Sequence, residues 1–215
     1  MAVFKANAFS RRTVSEMLAD ELYSQGFHII DDFLDESIFH SLRELAETSF
    51  NKDKFQDARI GSGSRSSHHS EIRNDKILWL DEQNAEEPLS QYFCKINSLR
   101  QILNQSLFLG LADFETHFAR YQPGSFYKKH VDQFAHSKDR RISCVYYLNN
   151  LWQKSFGGEL NLYDCQNNLL ASVLPQANRF ICFSSDLPHE VSITQEIRYS
   201  LAGWMKTRPL SGNSP

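Results

Sequence analysis

From about residue 112 the sequence consists of short apolar segments separated by turn signals, and this pattern limits the possible folds most strongly. Residues typical of turns, such as Pro123-Gly124 and Gly157-Gly158, separate many of these segments. Eight short strands in about 95 residues are typical of a jelly roll or barrel. We therefore predict a mainly β fold with helices packed on its outside. The predicted strands are 113–121, 126–132, 141–149, 159–163, 169–173, 179–184, 189–194 and 198–205.

The first 110 residues show helical spacing instead. A capping-box pattern begins at Thr13, and the helix that follows ends at Gly26. A short strand over Phe27 to Ile30 precedes a second helix capped by Asp35, and a third helix spans roughly 86–106. The residues expected to face inward are Val14, Met17, Leu18 and Leu22, then Ile38, Leu42, Leu45 and Ala46, and finally Leu89, Phe93, Ile96 and Leu103.

Between the second and third helices, residues 51–76 predict a long mobile loop. The stretch from Gly61 to Ser67 is rich in glycine and serine and has no apolar period. Such a loop is either a disordered connection or a lid over an active site, and the sequence leaves both open. We interpret 1–215 as a single domain, in which 1–110 supports a catalytic β core at 111–206.

Composition excludes several classes of partner and site. The net charge of -3 lacks the basic footprint of a nucleic-acid-binding protein. No apolar run approaches the roughly 20 residues that span a bilayer. The 4 cysteines form no C-x-x-C pair, which argues against a thiolate zinc cluster and a disulfide framework. We therefore expect a cytoplasmic protein without nucleic-acid or membrane partners, and the oligomeric state stays open.

A candidate metal site lies in the second predicted strand. Since side chains alternate faces along a strand, His130 and Asp132 project from the same face. His189, at the start of a later strand, offers a third ligand. Two histidines and one carboxylate form the facial triad of non-haem iron(II) oxygenases, which leaves neighbouring positions open for a cosubstrate and O₂. An H-x-D pattern alone also occurs by chance.

The more decisive residue is Arg198, on the strand that follows His189. A guanidinium inside a barrel is costly unless an anion pairs with it. Its planar fork matches a carboxylate in a bidentate way that lysine does not. A dicarboxylate that chelates the metal at one end and contacts Arg198 at the other meets both demands. The alternative is an arginine on a solvated strand face.

Together these motifs resemble the prolyl 4-hydroxylase branch of the 2-oxoglutarate oxygenases, and especially the hypoxia-inducible-factor prolyl hydroxylases and their bacterial relatives. The resemblance covers about Phe27 to Lys206. It implies a double-stranded β-helix. The pieces that carry it are the H-x-D…H…R order with a Tyr-x-x-Gly-x-x-Tyr lead-in, Ile72 to Trp79, Cys144 to Asn149, Gly157 to Leu160, and Phe183 to Asp186.

The resemblance also implies roles for single residues. Tyr147 matches the tyrosine that binds the far carboxylate of 2-oxoglutarate beside the arginine, and Tyr121 matches one near the iron that touches cosubstrate or substrate. Trp204 matches a tryptophan on the substrate side of the pocket. Each of these aromatic residues has a plain core role as its alternative. Asp75 and Arg140 match a pair that tethers the mobile loop to the barrel, and Arg73 belongs to the same substrate-side motif.

The sequence departs from the family pattern at two positions. Ala202 replaces a common hydroxyl residue four positions beyond the arginine, which puts one cosubstrate hydrogen bond in doubt. Asn74 replaces a common glycine in the loop motif. The remaining histidines that match no ligand position are interpreted as surface or loop residues. They are His68, His69, His117 and His136.

The function implied by the resemblance is hydroxylation of a prolyl residue in a protein, with release of succinate and CO₂. It requires iron(II), 2-oxoglutarate and O₂, and ascorbate is the expected reductant. A translation factor is the candidate protein substrate. Two alternatives stay open: an oxygenase acting on another residue or a small molecule, and a non-catalytic, metal-binding jelly-roll module.

Overall fold

The computed structural model describes residues 14–58, 69–133 and 137–208. It contains three α-helices: α1 (Val14–Gln25), α2 (Glu36–Asn51) and α3 (Leu89–Leu107). None of the helices in these ranges is long and apolar enough to cross a bilayer. The strands are β1 (Phe27–Ile30), β2 (Gln56–Asp57), β3 (Lys76–Leu80), β4 (Leu111–Tyr121), β5 (Tyr127–His130), β6 (Arg140–Tyr147), β7 (Leu160–Tyr163), β8 (Leu169–Val173), β9 (Phe180–Ser184), β10 (His189–Val191) and β11 (Arg198–Thr207).

Two antiparallel sheets face each other. The major sheet has seven strands in the order β1-β9-β6-β11-β4-β3-β2, and the minor sheet has four in the order β5-β10-β7-β8. The core strands alternate between the sheets except for the β7–β8 hairpin, which lies wholly in the minor sheet, so the chain winds as a double-stranded β-helix, as predicted. The long strand β11 lies at the centre of the major sheet, between β4 and β6.

The three helices cover the outer face of the major sheet. Alternate strand residues such as Phe118, Tyr146 and Leu201 pack there against apolar residues of the helices. The inward residues predicted for α2 and α3 lie in or against this core. In α1, Leu18 and Leu22 are buried, but Met17 was predicted wrongly and is exposed. It lies next to the apolar stripe, where Ala19 is buried instead.

One predicted helix cap is also wrong in its chemistry. Asp35 occupies the N-cap position of α2, but its side chain makes no capping hydrogen bond. Its backbone carbonyl accepts the amides of Ile38 and Phe39, and these bonds start the helix. The capping-box residue Thr13 lies outside the described residues.

A second apolar cluster fills the space between the two sheets. It joins residues of the major sheet, such as Ala119 and Tyr147, to Leu162 and Val191 of the minor sheet. Because strand side chains alternate, this inner face receives the residues that the helices do not cover. A cleft between the sheets opens from this cluster to the surface.

All eight predicted core strands are present, as β4 to β11; β8 has the predicted bounds, and no end of the others is shifted by more than three residues. The strands β2 and β3 were missed because their residues read as part of the loop 51–76 and the segment after it. Strand β3 pairs with β4, and β2 pairs with β3, so both extend the major sheet on that side. The N-terminal part therefore contributes strands as well as helices. Of the predicted loop, residues 59–68 lie outside the described ranges.

Candidate active site

His130, Asp132 and His189 lie together at one side of the cleft. One ligand atom from each lies within 4.8 Å of the others. The distances to the carboxylate oxygens of Asp132 are 3.5 Å from Nε2 of His130 and 3.4 Å from Nε2 of His189. Neighbouring ligands of one ion with bonds near 2.1 Å lie about 3 Å apart. The three groups therefore need only small shifts to bind a single metal.

The backbone fixes the orientation of both imidazoles. His130 ends β5 and His189 begins β10, and the two are direct partners across these strands. The Nδ1 atom of His130 donates to the carbonyl of Lys128 at 2.8 Å, and Nδ1 of His189 donates to the carbonyl of Leu187 at 2.9 Å. Each bond leaves Nε2 with its lone pair facing the site. Such support of metal-bound histidines is a common feature of protein metal sites.

Asp132 is held from behind by two serines. Ser143 of β6 donates to its Oδ2 at 2.6 Å, and the hydroxyls of Ser143 and Ser185 lie 2.9 Å apart. Because the Ser143 hydroxyl donates its hydrogen bond to the carboxylate, the Ser185 hydroxyl is the donor in the bond between the two serines. The amide of Asp132 also donates to the carbonyl of Ser185. These bonds fix the carboxylate in the position that faces the histidines.

The charges of the three groups favour cation binding. Burial alone would raise the pKa of Asp132, but His189 and His130 hold it well below its usual value. Burial and the neighbouring His189 lower the pKa of His130. Burial opposes protonation of His189 too, yet the Asp132 carboxylate raises its pKa overall. A bound metal ion would replace the proton of the His189 imidazole as the positive partner of the Asp132 carboxylate.

The inner end of the cleft is formed by Arg198, Tyr121 and Tyr147. Arg198 is 2 % exposed, and its guanidinium carbon lies 4.9 Å from the ring centre of Tyr121 and 5.0 Å from that of Tyr147. Its Nε donates to the carbonyl of Gly158. A Cβ at Gly158 would lie 3.2 Å from Cδ of Arg198, so glycine allows this close approach.

Two polar groups at the inner end lack the partners that burial normally requires. Within the described ranges, no carboxylate lies within ion-pair distance of Arg198, whose other bond goes to the hydroxyl of Ser200. The hydroxyl of Tyr147 is buried and makes no hydrogen bond to any of the residues that the structure describes. A buried guanidinium and a phenol donor together suit an incoming carboxylate. The residues present therefore fit a dicarboxylate cosubstrate.

The outer part of the cleft begins at a buried ion pair. Nε and an η nitrogen of Arg73 donate to both oxygens of Asp75, at 2.8 and 2.6 Å. Arg73 covers the ring of Tyr127 at 4.3 Å, and Tyr127 stacks on His130 at 3.6 Å. The segment before β3 is therefore tied directly to the metal centre.

The predicted pairing of Asp75 with Arg140 is wrong. Asp75 forms its ion pair with Arg73. Arg140 instead donates through Nε and an η nitrogen to the carboxylate of Glu115, at 3.1 and 2.7 Å. Arg140 also lies 3.6 Å above the ring centre of Trp204. Two arginines and two carboxylates stand close in this region, and a sequence pattern alone did not determine which groups pair.

His117 was predicted to be a surface or loop residue, and this is wrong. It is 2 % exposed and lines the cleft between Trp79 and Trp204. The sequence could have predicted this position, because side chains alternate along β4 and His117 and Ala119 therefore lie on the same face as Tyr121. His69, in contrast, is partly exposed beside Glu71, and His68 and His136 lie outside the described residues.

Comparison with known proteins agrees with this geometry. The model of the 2OG-Fe(II) oxygenase superfamily matches residues 116–206. A prolyl-4-hydroxylase from Pseudomonas putida is 34 % identical and superposes with a TM-score of 0.81, over 91 % of this chain and 100 % of that one. This chain belongs to the 2OG-Fe(II) oxygenase superfamily. Within it, the chain lies in the prolyl hydroxylase branch.

Two further relatives support the assignment of this oxygenase to the branch. A prolyl hydroxylase from Trichoplax adhaerens, solved with a peptide fragment of the hypoxia-inducible-factor oxygen degradation domain, is 26 % identical with a TM-score of 0.82, over 90 % of this chain and 89 % of that one. The human prolyl hydroxylase EGLN3 is 27 % identical over 198 residues, which cover 88 % of this chain and 82 % of that protein. Family membership implies iron(II) and 2-oxoglutarate, and the oxygenase presents a His-Asp-His triad for the metal.

Proposed function

We propose that this dioxygenase hydroxylates a prolyl residue of a protein, using iron(II), O₂ and 2-oxoglutarate. The observation that carries the proposal is the pairing of a metal triad with a buried guanidinium that has no carboxylate partner among the described residues. The relatives with 34 % and 26 % identity are prolyl hydroxylases, and one of them was solved with a peptide. These similarities support a peptide-like substrate.

In this proposal His130, Asp132 and His189 hold the iron. Arg198 binds the far carboxylate of 2-oxoglutarate, Tyr147 donates a hydrogen bond to it, and Tyr121 borders the cosubstrate. Burial raises the pKa values of both tyrosines, so their phenols keep the proton that such a bond needs. Ala202 offers no side-chain hydroxyl for an additional bond, and the hydroxyl of Ser200 on the same strand already accepts a hydrogen bond from Arg198.

The bound iron and 2-oxoglutarate supply the oxidation, which converts C–H, O₂ and 2-oxoglutarate into C–OH, succinate and CO₂. The protein supplies position and exclusion of water. Apolar residues such as Val145, Leu160 and Val191 line the cleft between metal and arginine. Trp204, Arg140, Arg73 and Asp75 lie on the outer side, where a protein segment would enter.

Three finer points belong to the same proposal. The four cysteines are unpaired, which supports a reducing compartment such as the cytoplasm. Ascorbate is the proposed reductant for iron that becomes oxidised without substrate. A translation factor is the proposed protein substrate, in keeping with a peptide-binding cleft.

The test is a coupled assay on the purified protein. Iron(II), 2-oxoglutarate and overlapping proline-containing peptides of translation factors are supplied, together with the oxygen-degradation-domain peptide. We expect succinate release and a gain of one oxygen atom on a proline, located by tandem mass spectrometry. Oxygen on another residue or only on small molecules would contradict the prolyl assignment. No succinate release above an Asp132→Ala control would contradict the catalytic assignment.

A further inference from the structure

Three aromatic rings form a wall at the outer part of the cleft, where His117 and Trp204 line the cleft itself and Trp79 packs beside them. The ring centre of His117 lies 4.8 Å from that of Trp79 and 5.6 Å from that of Trp204, and the two tryptophans are 6.3 Å apart. Trp79 is 46 % exposed, whereas His117 is almost fully buried. This aromatic wall, Trp79, His117 and Trp204, therefore runs from the protein surface into the cleft.

The register of the major sheet separates this wall from the cosubstrate end. His117 pairs with Trp79 of β3 on one side and Ala202 of β11 on the other. Tyr121 pairs with Arg198, four residues further along the same strands. At about 3.3 Å per residue, the two rows are about 13 Å apart. His117 thus belongs to the substrate side of the cleft.

The imidazole of His117 has a polar atom without a partner. Its Nδ1 is buried and makes no hydrogen bond to any described residue, which is rare for a buried nitrogen in a folded protein. The pKa of His117 is lowered to about 3, mainly by burial and to a smaller extent by the positive charge of the nearby Arg73. The ring is therefore neutral at physiological pH, with one N–H donor and one acceptor nitrogen.

We propose that His117 is a substrate-binding residue, whose Nδ1–H donates to a backbone carbonyl of the peptide segment that packs on Trp79 and Trp204. A proline contributes a carbonyl but no N–H, so the segment around it is rich in unpaired acceptors. The flat faces of the two tryptophans suit the apolar surface of such a segment. This inference rests on the proposed function and adds a residue that determines peptide binding.

The kinetic test compares His117→Phe, His117→Gln and the wild type on the fastest-hydroxylated peptide of the coupled assay. Phenylalanine keeps a flat ring but removes the donor, so the peptide KM should rise about tenfold, as for one lost hydrogen bond. Glutamine should restore part of the loss. The KM for 2-oxoglutarate should not change, since Arg198 and Tyr121 lie four residues away along β11 and β4. His40→Phe, at an exposed position of α2, is the matched control.

Two kinetic outcomes would overturn the inference: an unchanged peptide KM in His117→Phe, or an equal rise in the KM values for peptide and 2-oxoglutarate. The second would place His117 in cosubstrate binding. More succinate per hydroxylated peptide in His117→Phe is expected, because a poorly held peptide leaves the oxidation uncoupled from hydroxylation.

A binding test does not depend on turnover. Zinc(II) replaces iron(II) as a diamagnetic ion, and the imidazole ¹⁵N signals are recorded while acetyl-Ala-Pro-Ala-amide is added. The Nδ1 signal of His117, assigned by its loss in His117→Phe, should shift on titration. An unchanged signal would overturn the inference. If no peptide is hydroxylated by the wild type, the proposed function fails, but this titration still decides the role of His117.

Discussion

The inner end of the cleft and its aromatic wall stand on the same two strands, β4 and β11, but their chemistry differs. At the inner end, Arg198, Tyr121 and Tyr147 are each at most 4 % exposed. The wall reaches the surface through Trp79, and its charged neighbour Arg140 is already paired with Glu115. The closed end specifies one small anion, and the open end can accept a larger molecule. The reaction type and the substrate choice are therefore separable properties.

The largest expected effect comes from removing the carboxylate of the triad. Asp132→Ala should reduce 2-oxoglutarate turnover at least ~10³-fold, because the metal loses its charged ligand and a hydrogen-bonded support. Succinate release and metal content measure the loss. Asp113→Ala, at an exposed position of β4, is the control. Undiminished turnover in Asp132→Ala would remove the basis for comparing the two ends at all.

The next effect concerns the outer side. Asp75→Asn leaves the buried Arg73 without its charge partner, which should cost about 3–5 kcal/mol of stability. Chemical denaturation measures it. The exposed pair of Arg179 with Asp31 provides the control, since Asp31→Asn should cost only ~0–1 kcal/mol. Equal losses in both variants would show that the outer side is no more rigid than the general surface.

A third change isolates the inner end. Arg198→Met should raise the KM for 2-oxoglutarate about 10- to 100-fold, because a charge-assisted hydrogen-bonded pair is lost. Peptide binding, followed by tryptophan fluorescence of the wall, should be affected far less. Arg141→Met, at an exposed position of β6, controls for loss of charge. Parallel losses of both ligands would contradict the separation of the two ends.

The last effect, similar in size to the third, concerns the support of the metal ligand. Ser143→Ala removes the hydroxyl that donates to Asp132, and metal affinity should fall about 10- to 100-fold. The affinity is measured by competition with a chelating dye, and Ser172→Ala, on the exposed edge strand β8, is the control. An unchanged affinity would mean that backbone bonds alone fix the carboxylate.

The sequence predicted best what local periodicity determines. The turn residues between apolar segments were enough to find eight strands and to place His130 at the end of β5. Asp132 was expected on the same strand, but β5 ends at His130 and Asp132 follows it in a bend. The roles of these residues as metal ligands stay predictions until an ion is measured. The family resemblance extended this to the double-stranded β-helix, which the structure confirms.

The sequence predicted poorly what depends on contacts between distant segments. The partner of Arg140 is one case: β4 places Glu115 beside it, 25 residues earlier in the chain, while Asp75 is held by Arg73, only two residues before it. The burial of His117 depends on β3 adding to the sheet beside β4, and this strand was missed. Both errors lie on the outer side of the cleft, where several segments meet.

One strand links the two ends and so fixes a length. Arg198 and Trp204 are six residues apart on β11, or about 20 Å at the usual rise per residue. Neighbours on both sides hold the register of this strand, so an insertion between the two residues would disrupt both pairings. An inhibitor that joins a carboxylate head at Arg198 to a group stacked on Trp204 therefore has to reach along about this length of the strand.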